Sequence, residues 1–132
     1  MTIQFSTTVR NNRLDQVEAT AGTTAKLYLF SGAVAANCAA ADPSGLLATL
    51  TLPSDWMNAA STGTKALAGT WTGTASAGGT AISFRIKDNT GTTTHVQGTV
   101  GISGSDLNLD NNVLATSQTI NITTFTFTDG NA

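Results

Sequence analysis

The chain has very little charge. Lys, Arg, Asp and Glu make up 11% of its 132 residues, against about 25% in an average soluble domain. The six basic residues are scattered and form no stripe, which argues against nucleic acid as a partner. A single cysteine, Cys38, excludes an intrachain disulfide. One histidine, His95, and that one cysteine cannot supply the several N or S ligands of a zinc site. No apolar run approaches the roughly 18 residues that a membrane helix needs, so no membrane partner is expected. Met1 to Arg10 lack a basic stretch followed by an apolar one, and no export signal is expected.

What replaces charge is threonine, roughly one residue in five. Thr is β-branched and suits a pleated, half-buried surface. Gly, Ala, Ser and Asn supply most of the remaining small or polar surface. The mean hydropathy of +0.05 and a hydrophobic content of 40% are those of a folding chain, not a disordered one. The length fits one domain, which buries about two-thirds of its unfolded surface.

One stretch reads as helix. Over Phe5 to Gly22, Val9, Leu14, Val17 and Ala21 share a broad face at helical spacing. Ser6 is a candidate N-cap and Gly22 a candidate C′ residue. Arg10, Asn11, Asn12, Asp15 and Glu18 are expected to solvate the rest. A lone helix of this length is marginal, so it must lie on a sheet or on a neighbouring subunit. Residues 1–22 are read as a helical docking segment, and 23–132 as the β domain.

From Thr23 the period becomes two. Ala25, Leu27 and Leu29 alternate with Lys26, Tyr28 and Phe30. Ser31 to Pro43 reads as an Ala-rich loop. Leu46, Ala48, Leu50 and Leu52 form an inward row that ends at Pro53. Ser54 to Ala60 reads as a turn, and Leu67 to Ala75 as one strand around Trp71. A hairpin follows, with Ile82, Phe84 and Ile86 inward and Ser83, Arg85 and Lys87 outward. Asp88-Asn89-Thr90-Gly91 supplies the turn, and Thr94, Val96, Gly98 and Val100 form the returning row. Leu107 and Leu109 mark a short strand. In the last strand, Gln118 to Thr128, parity changes between Ile120/Ile122 and Phe125/Phe127. Either a bulge near Thr123-Thr124 or burial on both faces accounts for it. About seven short strands at this spacing predict a mainly β fold, an antiparallel β-sandwich of Ig-like or jelly-roll-like type, behind a short N-terminal helix.

Few residues carry chemistry. His95 has no nucleophile or orienting partner visible in the sequence. Cys38 has no local cation to activate a thiolate. Asp106 and Asp110 in "DLNLDNN" have the spacing of no calcium loop, and Asx turns explain them. The Gly-rich segments at 79–104 sit in a hairpin pattern. The strand, loop, helix order of a phosphate cradle is missing, so no cofactor is expected. Tyr28, Trp56 and Trp71 could stack on a sugar or anchor a core. Uncharged stretches such as "GTWTGTASAGGTA" and "TINITTFTFT" leave strand edges undefended unless another chain covers them.

The stretches "ANCAAADPSGLLATLTLPSDWM" (36–57), "TKALAGTW" (64–71), "FRIKDNTGTTTHVQGTVG" (84–101) and "DLNLDNNVLATSQTINITTFTFTDGNA" (106–132), with "STTVRNNRLDQVEATAG" near the N-terminus, resemble a family of short β-rich structural proteins of tailed-phage virions. The resemblance spans most of the chain. It implies a particle component without enzymatic activity and leaves head, neck or tail open. The composition fits: a chain assembled in a host cytoplasm that then works outside the cell. The expected function is a decoration or accessory protein of the head or neck. Its expected partners are capsid, neck or tail subunits and further copies of itself. The alternative is a receptor- or glycan-binding module of the tail. Val9, Leu14 and Val17 on the helix, with Tyr28 and Trp56, are the expected partner-binding residues.

Overall fold

The computed structural model describes residues 3–132. The first two residues of the expected docking segment lie outside them. Ser6 caps the helix as its type predicts: extended at ψ 158°, its hydroxyl accepts from the Val9 N–H at 3.2 Å. Helix α1 then runs Thr7–Ala21 and stops at Gly22, whose φ of 85° suits glycine and whose N–H donates to Glu18 O at 2.9 Å.

Eleven short strands follow: β1 (Lys26–Phe30), β2 (Leu46–Thr51), β3 (Thr64–Ala66), β4 (Trp71–Thr74), β5 (Gly79–Thr80) and β6 (Ser83–Lys87). Beyond the hairpin turn come β7 (Thr94–Gly101), β8 (Leu107–Asn108), β9 (Val113–Leu114), β10 (Thr119–Ile122) and β11 (Thr126–Thr128). One five-stranded sheet has the order β2-β1-β6-β7-β8, antiparallel except for the β7/β8 pair. Three two-stranded ribbons, β10-β4, β11-β3 and β5-β9, curl around it, and the Ala48–Ala75 bridge ties β4 to β2. The fold is mainly β with one N-terminal helix.

Several expectations hold and several shift by one residue. The hairpin turn forms as read, with Asp88 Oδ1 accepting from the Thr92 N–H and the Thr90 hydroxyl, both at 2.9 Å. A register shift between Ile86 and Lys87, however, pairs Thr94 with Lys87, on the face of Arg85 and not in the inward row. In β2, however, Leu47 is buried and Leu46 is 44% exposed. The β1/β2 register shifts between Leu29 and Phe30, pairing Leu29 with Ala48 but Phe30 with Leu46. Leu47 is the extra residue of a bulge and turns inward. Ile82 lies just ahead of β6 and is 45% exposed, not inward.

The strand expected over Leu67 to Ala75 forms only as β4, and Leu67 makes an isolated bridge to Met57. The chain breaks at Gly69, where φ is +70° and an added Cβ would sit 2.9 Å from Pro53 Cγ. The C-terminal segment likewise divides at 123–125 and changes partner from β4 to β3. That break resets the parity. Ile120, Ile122 and Phe125 are buried and Phe127 packs against them, while Thr119, Asn121 and Thr126 are exposed. The doubly buried alternative therefore fails.

The core is a chain of aromatic rings wrapped in leucines. Trp56 meets Trp71 at 5.9 Å between centroids, Trp71 meets Phe125 at 5.5 Å, and Phe125 meets Phe84 edge-on at 5.6 Å. Leu27, Leu29, Leu50, Leu52 and Ile86 close around them. Such offset pairs add about 0.5–1.5 kcal/mol each beyond the area they bury.

Candidate functional site

The five-stranded sheet has one apolar face and one polar face, and both are covered. Register places Tyr28, Arg85 and Gln97 in a row across β1, β6 and β7, with Lys26 and Lys87 beside them. Ser83, Arg85 and Lys87 were expected on the outward face. Instead the loop 31–45 folds over the row, and Ser83, Arg85 and Lys87 are all buried.

Arg85 fastens that loop. Its Nη1 donates to Ala40 O at 2.9 Å, Asp42 Oδ1 at 3.0 Å and Thr94 Oγ1 at 3.3 Å. Its Nη2 donates to Asn37 O at 3.1 Å and Gln97 Oε1 at 3.0 Å. Ser83 Oγ donates to Gly32 O at 2.7 Å, and Gln97 Nε2 to Ala35 O at 2.8 Å. Among the described residues, the Arg85 Nε is the one buried side-chain polar atom with no partner. Lys87 Nζ reaches Asp42 Oδ2 at 2.7 Å and lies 5.0 Å from the centre of the Tyr28 ring, a cation–π distance. The Lys87 ammonium, and then Arg85, hold the Asp42 carboxyl below its ordinary range. Beside this cluster is a cleft of about 380 Å³, lined by Cys38 to Asp42, Arg85, Lys87 and Thr92 to Thr94.

A second buried cation fastens the helix. Lys65 is 2% exposed, and its Nζ donates to Asp15 Oδ1 at 2.8 Å, Asn58 O at 2.9 Å and Glu18 Oε1 at 3.1 Å. Burial opposes the Lys65 charge, but the bonds from Asp15 and Glu18 outweigh it and leave its pKa raised. The same Lys65 bond, followed by the Ala60 N–H, lowers the Asp15 pKa. Around this ion cluster the helix binds through polar atoms. Asn11 Oδ1 accepts from the Gly63 N–H, Asp15 from Ala60 and Glu18 from Met57, while the Arg10 Nε donates to Asp129 O. Of the side chains expected to solvate α1, Arg10, Asn11, Asp15 and Glu18 dock it on its own chain, and Asn12 is exposed.

The expected partner-binding residues separate accordingly. Trp56 is fully buried and its Nε1 donates to Gly22 O at 2.9 Å, so it is a core residue and not a stacking platform. Leu14, 6% exposed, also faces the chain's own interior. Val9 is exposed at 41%, whereas Val17 is half-buried and lines a shallow recess with His95, Arg13, Gln16 and Thr20. Tyr28 is half-buried between Phe30 and Lys87. A Cβ at Gly91, where φ is +71°, would run into the Tyr28 hydroxyl, so the turn closes tightly over the ring.

The chemistry-bearing residues remain apart. His95 lies in the helix recess, away from Cys38. Cys38 is exposed, and the fold brings Arg85 and Lys87 to its cleft, cations that its sequence neighbourhood does not show. Asp106 Oδ2 accepts from the Thr99 N–H and hydroxyl at 2.9 and 3.0 Å, while Asp110 accepts from the Asn111 N–H. Both carry local turn chemistry, and among the described residues no group of three metal-capable side chains occurs. Among them, too, no helix is long and apolar enough to cross a membrane. No family model, no curated protein and no solved structure matches the chain.

Arg85 and Lys65 were not legible in the sequence as organising residues. One signal was available for Arg85: a lone guanidinium between Phe84 and Ile86 in a chain that uses charge so sparingly.

Proposed function

We propose that this chain is a non-enzymatic structural component of a tailed-phage particle, an accessory subunit of the head or neck that binds neighbouring subunits. Its curled sheets are read here as a two-layer sandwich, with the helix and the 31–45 loop as its covers. The observation that carries the reading is an uncharged, apolar end of the β body. Leu46, Ile82, Ile102 and Val113 are 44 to 65% exposed. Their segments are joined there by backbone bonds, from the Ile82 N–H to Phe30 O, the Val100 N–H to Ile82 O and the Ala81 N–H to Asn112 O. All four lie in stretches without Lys, Arg, Asp or Glu: 43–54, 66–84, 89–105 and 111–128. An apolar surface with no charge to repel a partner is an interaction surface. A specific interface there would bury at least about 1,000 Å² in total.

Mass spectrometry of purified particles tests the reading through copy number. A copy number comparable with that of the capsid subunit supports decoration. Absence from the particle overturns it. Ile82→Lys with Ile102→Lys is expected to abolish incorporation while leaving the isolated protein folded. A few copies confined to the tail would favour the second reading, a receptor- or glycan-binding module. The cleft beside Arg85 and Lys87 is the observation in its favour.

A further inference from the structure

We propose that the cleft between the 31–45 loop and the Thr92–Thr94 turn binds a single carboxylate, that of an acidic sugar. The inference does not depend on the particle reading. It starts from charge. Arg85 and Lys87 share one face of the sheet and both line the cleft. The carboxylate that meets them is Asp42 on the loop. Two cations against one carboxylate leave the cleft with one positive charge to spare, on a chain whose formal net charge is −2. Asp42 is divided between Arg85 and Lys87. The partnerless Arg85 Nε marks the same deficit of acceptors.

Donors for one more anion line the cleft. Lys87 Nζ has three hydrogens and its one hydrogen bond goes to Asp42. Thr94 Oγ1 accepts from Arg85, so its hydroxyl keeps its own proton to donate. The volume of about 380 Å³ is near the lower end of ligand pockets, roughly 300–1,000 Å³, and fits a monosaccharide. The charge of the ligand follows from Asp42, which lines the same cleft with its side chain 43% exposed. One negative charge balances the surplus, whereas the second charge of a phosphate dianion would face the Asp42 carboxylate.

The test is a titration of the ¹⁵N-labelled full chain followed by NMR at constant ionic strength. The resonances to follow are the Arg85 Nε–H and the amides of Thr92, Thr93 and Thr94. Sodium glucuronate is expected to give saturable shifts, acetate weaker ones and glucose none. Lys87→Gln is expected to weaken glucuronate binding at least about tenfold, the loss of one charge-assisted hydrogen bond. Asp42→Asn is expected to tighten it. Thr94→Val is expected to weaken it about threefold and keeps the test valid if the Lys87 variant does not fold. Equal shifts with glucose, tighter binding of phosphate than of glucuronate, or no shift with any anion overturns the proposal. Acetate binding as tightly as glucuronate overturns the sugar. Unchanged affinity in Thr94→Val overturns the assigned donors.

Discussion

Lys65 and Arg85 are each 2% exposed, and each holds a segment without strands against the β body. Their surroundings differ. Lys65 meets two carboxylates from the helix it fastens, Asp15 and Glu18, plus one carbonyl. Arg85 meets a single carboxylate, which it shares with Lys87, and otherwise binds neutral oxygens from the loop and from β7. The helix is therefore held by charge pairing, and the loop by a fork of hydrogen bonds to backbone carbonyls. A guanidinium suits the second task because it presents five donors in a fixed plane. An ammonium suits the first because it is a compact charge. In a chain with so few charges, the two most deeply buried ones mark where secondary structure alone does not close the fold.

Replacing the guanidinium is the strongest way to break this comparison. Arg85→Met removes every donor to Asn37 O, Ala40 O and Gln97 Oε1 while keeping most of the stem. It is expected to cost about 3–5 kcal/mol, the range for breaking a buried charge network, read by urea unfolding. It should also open the 33–43 segment to proteolysis ahead of the rest of the chain. Lys65→Met is expected to cost less, about 1–3 kcal/mol. Asp15 and Glu18 are 44% and 20% exposed and can rehydrate when the ammonium is gone.

Those two residues also show how far the sequence could be read. The helix was legible because Ser6 and Gly22 cap it locally, and the hairpin because its turn residues adjoin it. The parity change in the last strand was legible in the period of its apolar residues, but the break with its change of partner was not. Arg85 was not legible, because its loop partners Asn37, Ala40 and Asp42 lie more than 40 positions away along the chain. Its place in β6 alternates with Phe84 and Ile86, and alternation alone reads as solvent-facing. Leu46 and Leu47 exchanged roles for a similar reason: one bulged residue reverses parity, and nothing near it in the sequence announces the bulge. The polar docking of α1 escaped notice because amphipathic reasoning assigns charged side chains to water.

Titration sharpens the comparison with a smaller effect. Asp15 and Asp42 are both lowered from 3.8. The stability they add is present above that value and is lost as pH falls through their lower folded values. Acid below about pH 3.8 should therefore loosen both covers. Lys65 is raised from 10.5, so its contribution is complete below that value and is lost as pH rises through the higher folded one. A guanidinium does not deprotonate in a protein. Alkali above about pH 10.5 should release the helix and leave the loop in place. Limited proteolysis at the two extremes of pH checks the asymmetry. Equal release of both segments in alkali would contradict it.

The central structural claim is that the two covers are fastened independently, each by its own buried cation. Amide hydrogen exchange on the intact chain and on the two methionine variants tests it most directly. In Arg85→Met, exchange is predicted to rise across residues 31–45 and to stay unchanged in α1. In Lys65→Met, it is predicted to rise in α1 and across 57–64 and to stay unchanged in 31–45. A uniform rise across the whole chain in both variants, with neither cover opening before the sheet, would contradict the claim.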